Sequence, residues 1–318
     1  MSKPKVLVTG IIPEQGLKEL KATFDVFYDP EVETRAWILE HLSEYDGLLL
    51  MGTKADKELI DAGTNLKIIT ANGVGFDHID IEYAKSKGIV VSNCPKGVRV
   101  PTAEMTFSLL LATVRRLHMY DKIVREGKWV DVSEQQYMGM SLQGKKLGVF
   151  GMGRIGSEVA KFAQVFGMDV IYNDPHPLPD ELEQQLKVKY VDFETLVKES
   201  DVITLHAPAL PSTAGKFNKD VFAKMKNTAY IVNAARGGLI KQDDLIDALK
   251  NHQIAGAGLD VFETEPTVPE ALRELDNVVM SPHAGTGTLE ARTAIAEEAS
   301  NNLISYLRDG KAVNQVNK

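Results

Sequence analysis

At 318 residues, 44% hydrophobic and 25% charged, the chain has an ordinary globular composition, with room for two domains that bury their cores without disulfides. A formal net charge of −8 argues against a nucleic-acid partner, which calls for a basic excess, and no apolar run approaches the roughly 18 residues of a membrane span. The single cysteine, Cys94, excludes an internal disulfide and points to a reducing, cytoplasmic setting; the first ten residues lack the long apolar stretch of a secretory leader.

Along the chain, short apolar runs alternate with helix-length segments. The runs are Val6–Val8, Gly47–Leu50, Lys67–Thr70 and Ile89–Val91, then Leu147–Phe150, Val170–Tyr172, Val202–Leu205, Ala229–Val232, Ala257–Leu259 and Val278–Met280. Continuous apolar strands separated by helices predict parallel sheets covered on both faces, which is α/β architecture. The series divides near residue 100, after about four or five β-α units. A long helix then starts at Pro101-Thr102-Ala103-Glu104, with Met105, Leu109, Ala112 and Leu117 on an apolar face broad enough to pack on its own core or on a second subunit. Residues 137–143 read as a loop, the last strand runs out at Pro282-His283, and a closing helix from Leu289 to Leu307 stops at Asp309-Gly310. Two doubly wound parallel-sheet domains, Rossmann- or flavodoxin-like, are expected, with ligands in a cleft between them.

The strand at Leu147–Phe150 leads into Gly151-Met152-Gly153-Arg154-Ile155-Gly156, and Ile155, Val159, Ala163 and Phe166 follow at helical spacing. At a strand-to-helix turn, the first glycine permits the turn and the second lets backbone approach a pyrophosphate. The third lets the helix pack on the strand. The helix amides then face the anion. Asp174 ends the next strand, 18 positions after Gly156, where a carboxylate accepts hydrogen bonds from an adenosine ribose. That carboxylate repels a 2′-phosphate, and no Arg stands at 175–180 to receive one, so the motif favours NAD over NADP.

Three later patches stand in a fixed order: Val232-Asn233-Ala234-Ala235-Arg236-Gly237-Gly238, Gly258-Leu259-Asp260-Val261-Phe262-Glu263-Thr264-Glu265-Pro266, and Ser281-Pro282-His283-Ala284-Gly285. With the glycine turn and with Ala71-Asn72-Gly73-Val74-Gly75-Phe76-Asp77-His78-Ile79-Asp80, they resemble the D-isomer-specific 2-hydroxyacid dehydrogenase family over essentially the whole chain. The resemblance implies a catalytic set of Arg236, Glu265 and His283, and the chemistry of 2-keto acid reduction asks for those types. Arg236 offers a fork of donors to the carboxylate and carbonyl. His283 is the general acid in reduction and base in oxidation, with Glu265 stabilising its imidazolium. The amides of Gly73-Val74-Gly75, with Asn72 beside them, hold the substrate carboxylate.

By the same resemblance, Gly151, Gly153, Arg154, Ile155, Gly156 and Thr102 meet the pyrophosphate, and His206, Ala207 and Pro208 line the adenosine side. Ala234, Ala235, Arg236, Asp260 and His283 reach the nicotinamide end. It also implies a substrate-binding domain of residues 1–100 plus 287–318, an NAD-binding domain of 101–286, and a homodimer through the helix from Thr102 to Arg116. No His/Cys/Asp/Glu cluster has metal-ligand spacing.

Departures narrow the branch. Glu265 paired with the histidine disfavours a formate dehydrogenase, and Ala284–Thr288 lacks the aromatic context of the D-lactate branch. Glyoxylate or hydroxypyruvate reduction fits best. A short phosphoglycerate dehydrogenase and a 2-keto sugar acid (2-ketogluconate) reductase remain alternatives, as does an NAD(H)-sensing corepressor-like protein. The charges of Lys54, Lys96 and Arg99 leave substrate size open.

Overall fold

The computed structural model describes residues 3–31 and 34–318. They fall into two compact units, one running to Pro101 and joined by Thr286–Lys318, the other Thr102–Gly285.

The first unit holds a five-stranded sheet of β1 (Lys5–Val8), β2 (Asp25–Phe27), β3 (Gly47–Leu50), β4 (Ile68–Ala71) and β5 (Val90–Ser92), all parallel, in the order β2-β1-β3-β4-β5. Alternate residues feed opposite cores, as strand periodicity requires. Leu7, Leu48, Leu50 and Ile69 pack with Ile38, Leu42 and Leu59 on one face. Val6, Val8, Leu49 and Ile68 pack with Leu17, Ile295, Ala299 and Leu303 on the other. Both faces are therefore dry, which explains why the inner strands read as unbroken apolar runs. The helix Leu289–Asp309 covers the second face; the Thr288 side chain accepts from the Ala291 amide at its start, and Gly310 turns left-handed (φ 67°) at its end.

The second unit holds seven parallel strands: β6 (Lys146–Phe150), β7 (Asp169–Asn173), β8 (Val188–Tyr190), β9 (Val202–Leu205), β10 (Tyr230–Asn233), β11 (Gly256–Leu259) and β12 (Val278–Met280). Their order is β12-β11-β10-β9-β6-β7-β8, so the winding reverses between β6 and β9. A crevice at the carboxyl ends of strands forms at such a reversal. The fold class is thus two doubly wound parallel sheets.

Two strands were invisible as apolar runs. Both β2 and β8 are edge strands of three residues, and only Val188 among those six is buried. The long helix also differs from expectation. It spans Arg99–Val114 with Ala103, Phe107, Leu109, Leu110 and Val114 buried in its own unit's core, then breaks where Arg116 turns left-handed (φ 54°). Leu117 therefore starts a separate helix, Leu117–Arg125, and is 60% exposed. No helix among the described residues is long and apolar enough to cross a membrane.

Candidate active site

At the end of β6 the chain turns at Gly151, whose φ of 95° suits glycine; a Cβ there would lie 2.8 Å from the Ala207 amide nitrogen. The turn is pressed against the segment that leaves β9, at the point where the strand order reverses. Gly156 is as constrained, since its Cβ would lie 2.3 Å from the Gly151 carbonyl oxygen. Gly153 differs. A Cβ there would meet no protein atom within 4 Å, although it caps the 12-residue helix Arg154–Val165. No protein contact requires glycine at 153, and a bare helix N-terminus of this kind suits an anion. Arg154 is exposed beside it, and Ile155 packs partly into the core beneath.

Asp174, just past β7, turns its carboxylate back to this loop. Oδ2 accepts from the Met152 amide at 2.9 Å and Oδ1 from the His176 amide at 2.9 Å. The acid read from sequence as a ribose acceptor thus also fixes the turn. His206 and Ala207 lie against Gly151, with Pro208 exposed beyond them. The Nε2 of His206 is buried without a partner, and burial pushes its imidazole down to about 3, so it is neutral at physiological pH. These features, open space over Gly153, an orphaned polar atom and an acid at the strand end, fit a dinucleotide.

The second group gathers at the carboxyl ends of β10, β11 and β12. Arg236 follows β10 in a loop locked by Asn233, whose Nδ2 donates to the Arg236 carbonyl (2.9 Å) and whose Oδ1 accepts from the Ala235 amide (3.0 Å). Ala234 is buried within it. Gly237 allows this loop to touch the next, since its Cβ would sit 1.9 Å from the Phe262 carbonyl oxygen. The next loop carries Glu265, whose Oε1 accepts from the Phe262 amide at 3.0 Å while Oε2 meets His283 Nδ1 at 2.7 Å. The peptide between Glu265 and Pro266 is cis. The His283 side chain is half exposed and Glu265 occupies Nδ1, so Nε2 is the ring nitrogen left open.

His283 itself sits in left-handed backbone (φ 52°), uncommon for a residue with a side chain. The cause is Asp260. Fully buried, its Oδ1 accepts from Ser281 Oγ (2.5 Å) and the Ala284 amide (2.7 Å), its Oδ2 from the Gly285 amide (2.8 Å), and its carbonyl from the His283 amide (2.8 Å). One carboxylate holds the whole histidine loop, and Thr102 packs beside Gly285. The sequence motifs contain Asp260, Ser281, Asn233 and Gly237, but the roles of these residues in holding the loops were not apparent from them. The spacing of Asp260 from Ser281, 21 residues, follows no helical or strand period.

In the first unit, Asn72 and Gly73-Val74-Gly75 follow β4. The carbonyls of Gly73 and Val74 accept from the Cys94 amide (2.8 Å) and Asn93 Nδ2 (2.8 Å). The amides of residues 73–75 have no acceptor among the described residues, and a Cβ on Gly73 would meet nothing within 4 Å. Such a row of unsatisfied N–H groups suits an anion. Lys54 is exposed and its carbonyl accepts from Arg35; the Lys96 amide is tied to Glu298. Among the described residues no group of His, Cys, Asp and Glu could hold a metal.

Comparison with known proteins bears on this arrangement. Residues 107–285 match the family model described as D-isomer-specific 2-hydroxyacid dehydrogenase, NAD binding domain. A glyoxylate reductase of Thermococcus litoralis is 43% identical, over 99% of this chain and 97% of its own. Among solved structures, a glyoxylate reductase from Paecilomyes thermophila superposes with a TM-score of 0.90 at 33% identity, covering 99% of both chains. An NADPH-dependent glyoxylate/hydroxypyruvate reductase from Sinorhizobium meliloti, in complex with NADP and malonate, gives 0.86 at 30% identity, over 99% of this chain and 97% of its own.

Proposed function

This chain belongs to the D-isomer-specific 2-hydroxyacid dehydrogenase family of oxidoreductases, and on that premise we propose that it reduces a small 2-keto acid of the glyoxylate or hydroxypyruvate type to the D-2-hydroxy acid with NADH. The observation that carries the reading is the His283–Glu265 pair at 2.7 Å, beside the Arg236 loop that Gly237 seats on the Glu265 loop.

When bound, the nicotinamide supplies or takes up the hydride. The chain does the rest. Glu265 holds a proton on His283 Nδ1 and so orients the ring with Nε2 outward; Nε2 gives its proton to the carbonyl oxygen in reduction and takes one from the hydroxyl in oxidation. Arg236 binds the carboxylate and polarises the carbonyl with its fork of donors. The amides of Gly73, Val74 and Gly75, next to Asn72, are assigned to the carboxylate, which makes residues 1–100 with 287–318 the substrate-binding domain and 101–286 the cofactor-binding one. Gly151, Gly153, Arg154, Ile155, Gly156 and Thr102 are assigned to the pyrophosphate, His206, Ala207 and Pro208 to the adenosine side, and Ala234, Ala235 and Asp260 to the carboxamide end.

NAD is chosen over NADP because Asp174 puts a carboxylate where a 2′-phosphate would sit, with its orientation fixed by Met152 and His176. A homodimer is part of the proposal. Its apolar surface is better supplied by the exposed Leu117, Val124, Trp129, Val132 and Met138 than by the helix before them, whose apolar side chains are used internally. The lone buried thiol of Cys94 agrees with a cytoplasmic setting.

The test is oxidation of NADH and of NADPH with glyoxylate, hydroxypyruvate, 2-ketogluconate and 3-phosphohydroxypyruvate. Turnover is expected with the first two, at least about tenfold better with NADH in kcat/KM. A preference for NADPH removes the Asp174 argument. Tight NADH binding with no turnover on any acid replaces the enzyme by a dinucleotide sensor.

A further inference from the structure

The loop that leaves β4 has its carbonyls held and its amides open, and the groups that hold it sit at the end of the neighbouring strand. Because β4 and β5 pair in parallel, residues 72–75 and 93–94 leave the sheet side by side. The Cys94 amide donates to the Gly73 carbonyl at 2.8 Å, and Asn93 Nδ2 donates to the Val74 carbonyl at 2.8 Å. The peptides here are trans, and a planar trans peptide points its C=O and N–H in opposite directions. Fixing the Gly73 carbonyl therefore aims the Val74 amide, and fixing the Val74 carbonyl aims the Gly75 amide. Both amides turn away from the groups that hold the loop, at residues that keep solvent exposure.

The two holds differ in kind. Cys94 uses its backbone, whereas the Val74–Gly75 peptide depends on one side chain. Glycine at 75 offers little steric resistance to that peptide turning over, so its direction rests on the hydrogen bond. Asn93 is itself held. It is 8% exposed, its amide donates to the Asn314 carbonyl at 3.3 Å, and its carbonyl accepts from Asn302 Nδ2 at 2.9 Å. Asn302, buried in the closing helix, also accepts at Oδ1 from Asn314 Nδ2 at 3.3 Å. Since the Asn93 side chain faces a carbonyl, the atom it presents is the nitrogen.

We propose that Asn93 is a positioning residue: it turns the Val74–Gly75 peptide so that the Gly75 N–H faces the substrate carboxylate, with Asn302 and Asn314 bracing it. The inference rests on the assignment of amides 73–75 to that carboxylate and adds the group that aims them.

Oxamate carries the carboxylate of a 2-keto acid and takes up no hydride. Titrated into the full chain saturated with NAD, it should move the Val74 and Gly75 amide resonances in a proton–nitrogen correlation spectrum. Asn93→Asp keeps the size and the backbone bonds but sets an oxygen against the Val74 carbonyl, and Asn93→Ala removes the donor. In both, the Gly75 shift should be lost. KM for glyoxylate should rise about tenfold, as for one lost hydrogen bond to a charged group, with kcat and NADH affinity within about threefold. Asn317→Ala is the structural control. Its Nδ2 donates to the Ile89 carbonyl (2.8 Å) and its Oδ1 accepts from the Val91 amide (2.9 Å), which clips the C-terminal segment to β5 without touching residues 73–75. It should lower the melting temperature and leave KM unchanged. A Gly75 shift retained in both Asn93 variants, an unchanged KM in both, or a matching KM rise in Asn317→Ala overturns the positioning role and leaves the amide assignment standing. If neither amide moves in the unaltered protein, the assignment and this proposal fall together. Moving amides without turnover of any keto acid sink the dehydrogenase reading alone.

Discussion

The glycine turn and the histidine loop stand at the same sheet edge of one unit and are built on opposite principles. The turn works by omission: Gly151 and Gly156 are forced by close backbone contacts, while Gly153 leaves space that the protein does not use. The loop works by convergence, with one buried carboxylate, Asp260, collecting Ser281, Ala284 and Gly285 so that His283 adopts a backbone it would otherwise avoid. A site for phosphate needs bare backbone; a site for proton transfer needs a side chain held in one orientation. The difference predicts that substitutions at the two will fail differently, in cofactor affinity at the turn and in turnover at the loop.

The sharpest separation comes from His283→Ala. Loss of the proton donor should lower the reduction rate by about 10²–10⁴ while NADH still binds, read from steady-state kinetics beside fluorescence titration of NADH. A rate within a few-fold of the original would remove His283 from the reaction. Asp260→Ala is next. It leaves the donors of Ser281, Ala284 and Gly285 without their acceptor, at about 1–3 kcal/mol for each buried group left unpaired, and frees the histidine loop. Displacing a catalytic group by about 1 Å costs on the order of 10² in rate, so kcat should fall about that far, with a lowered melting temperature. Ser281→Ala removes one of those bonds and keeps the amides held; it should cost only about 1 kcal/mol of stability and little rate. If Ser281→Ala matched Asp260→Ala in kcat, Asp260 would not be acting by holding the loop.

Gly153→Ala probes the turn. Its new Cβ touches no protein atom, so stability should change by less than about 0.5 kcal/mol, yet NADH should bind about tenfold or more weakly because the methyl occupies the phosphate's space. Unchanged affinity would mean that the gap is not the pyrophosphate site.

The same contrast explains what could be read without coordinates. Omission leaves a record in sequence: three glycines between a strand and a helix, and an acid at the end of the next strand, have few other uses together. Parallel strands buried on both faces were equally plain, from Val6 to Met280. Two of the four edge strands were not: Asp25–Phe27 and Val188–Tyr190 are largely unburied and lose the apolar signature, whereas the edge strands Val90–Ser92 and Val278–Met280 keep it. Convergence leaves no local record either. Arg236, Glu265 and His283 stood out by resemblance, but the bonds that tie the histidine loop to Glu265 and Asp260 join residues 18 to 25 apart.

A last effect sets apart the histidines of the two regions. His283, on the loop, is half exposed with a carboxylate on Nδ1. His206, against the turn, has its Nε2 buried and unpartnered, an environment that refuses a proton, and burial depresses it from 6.5 to about 3. Between those two values the unfolded chain binds a proton at this imidazole and the folded chain does not, so acid favours unfolding: the contribution is complete above about pH 6.5 and is lost as the pH falls toward 3. Going from pH 7 to pH 5 should therefore cost up to about 2 kcal/mol through His206 alone, in a range where most carboxylates are still ionised. His206→Asn keeps a polar side chain that does not titrate, and its urea-denaturation midpoint should change less between pH 7 and 5 than that of the unaltered protein. A parallel pH dependence in the two would show that the folded chain accepts a proton beside the glycine turn after all.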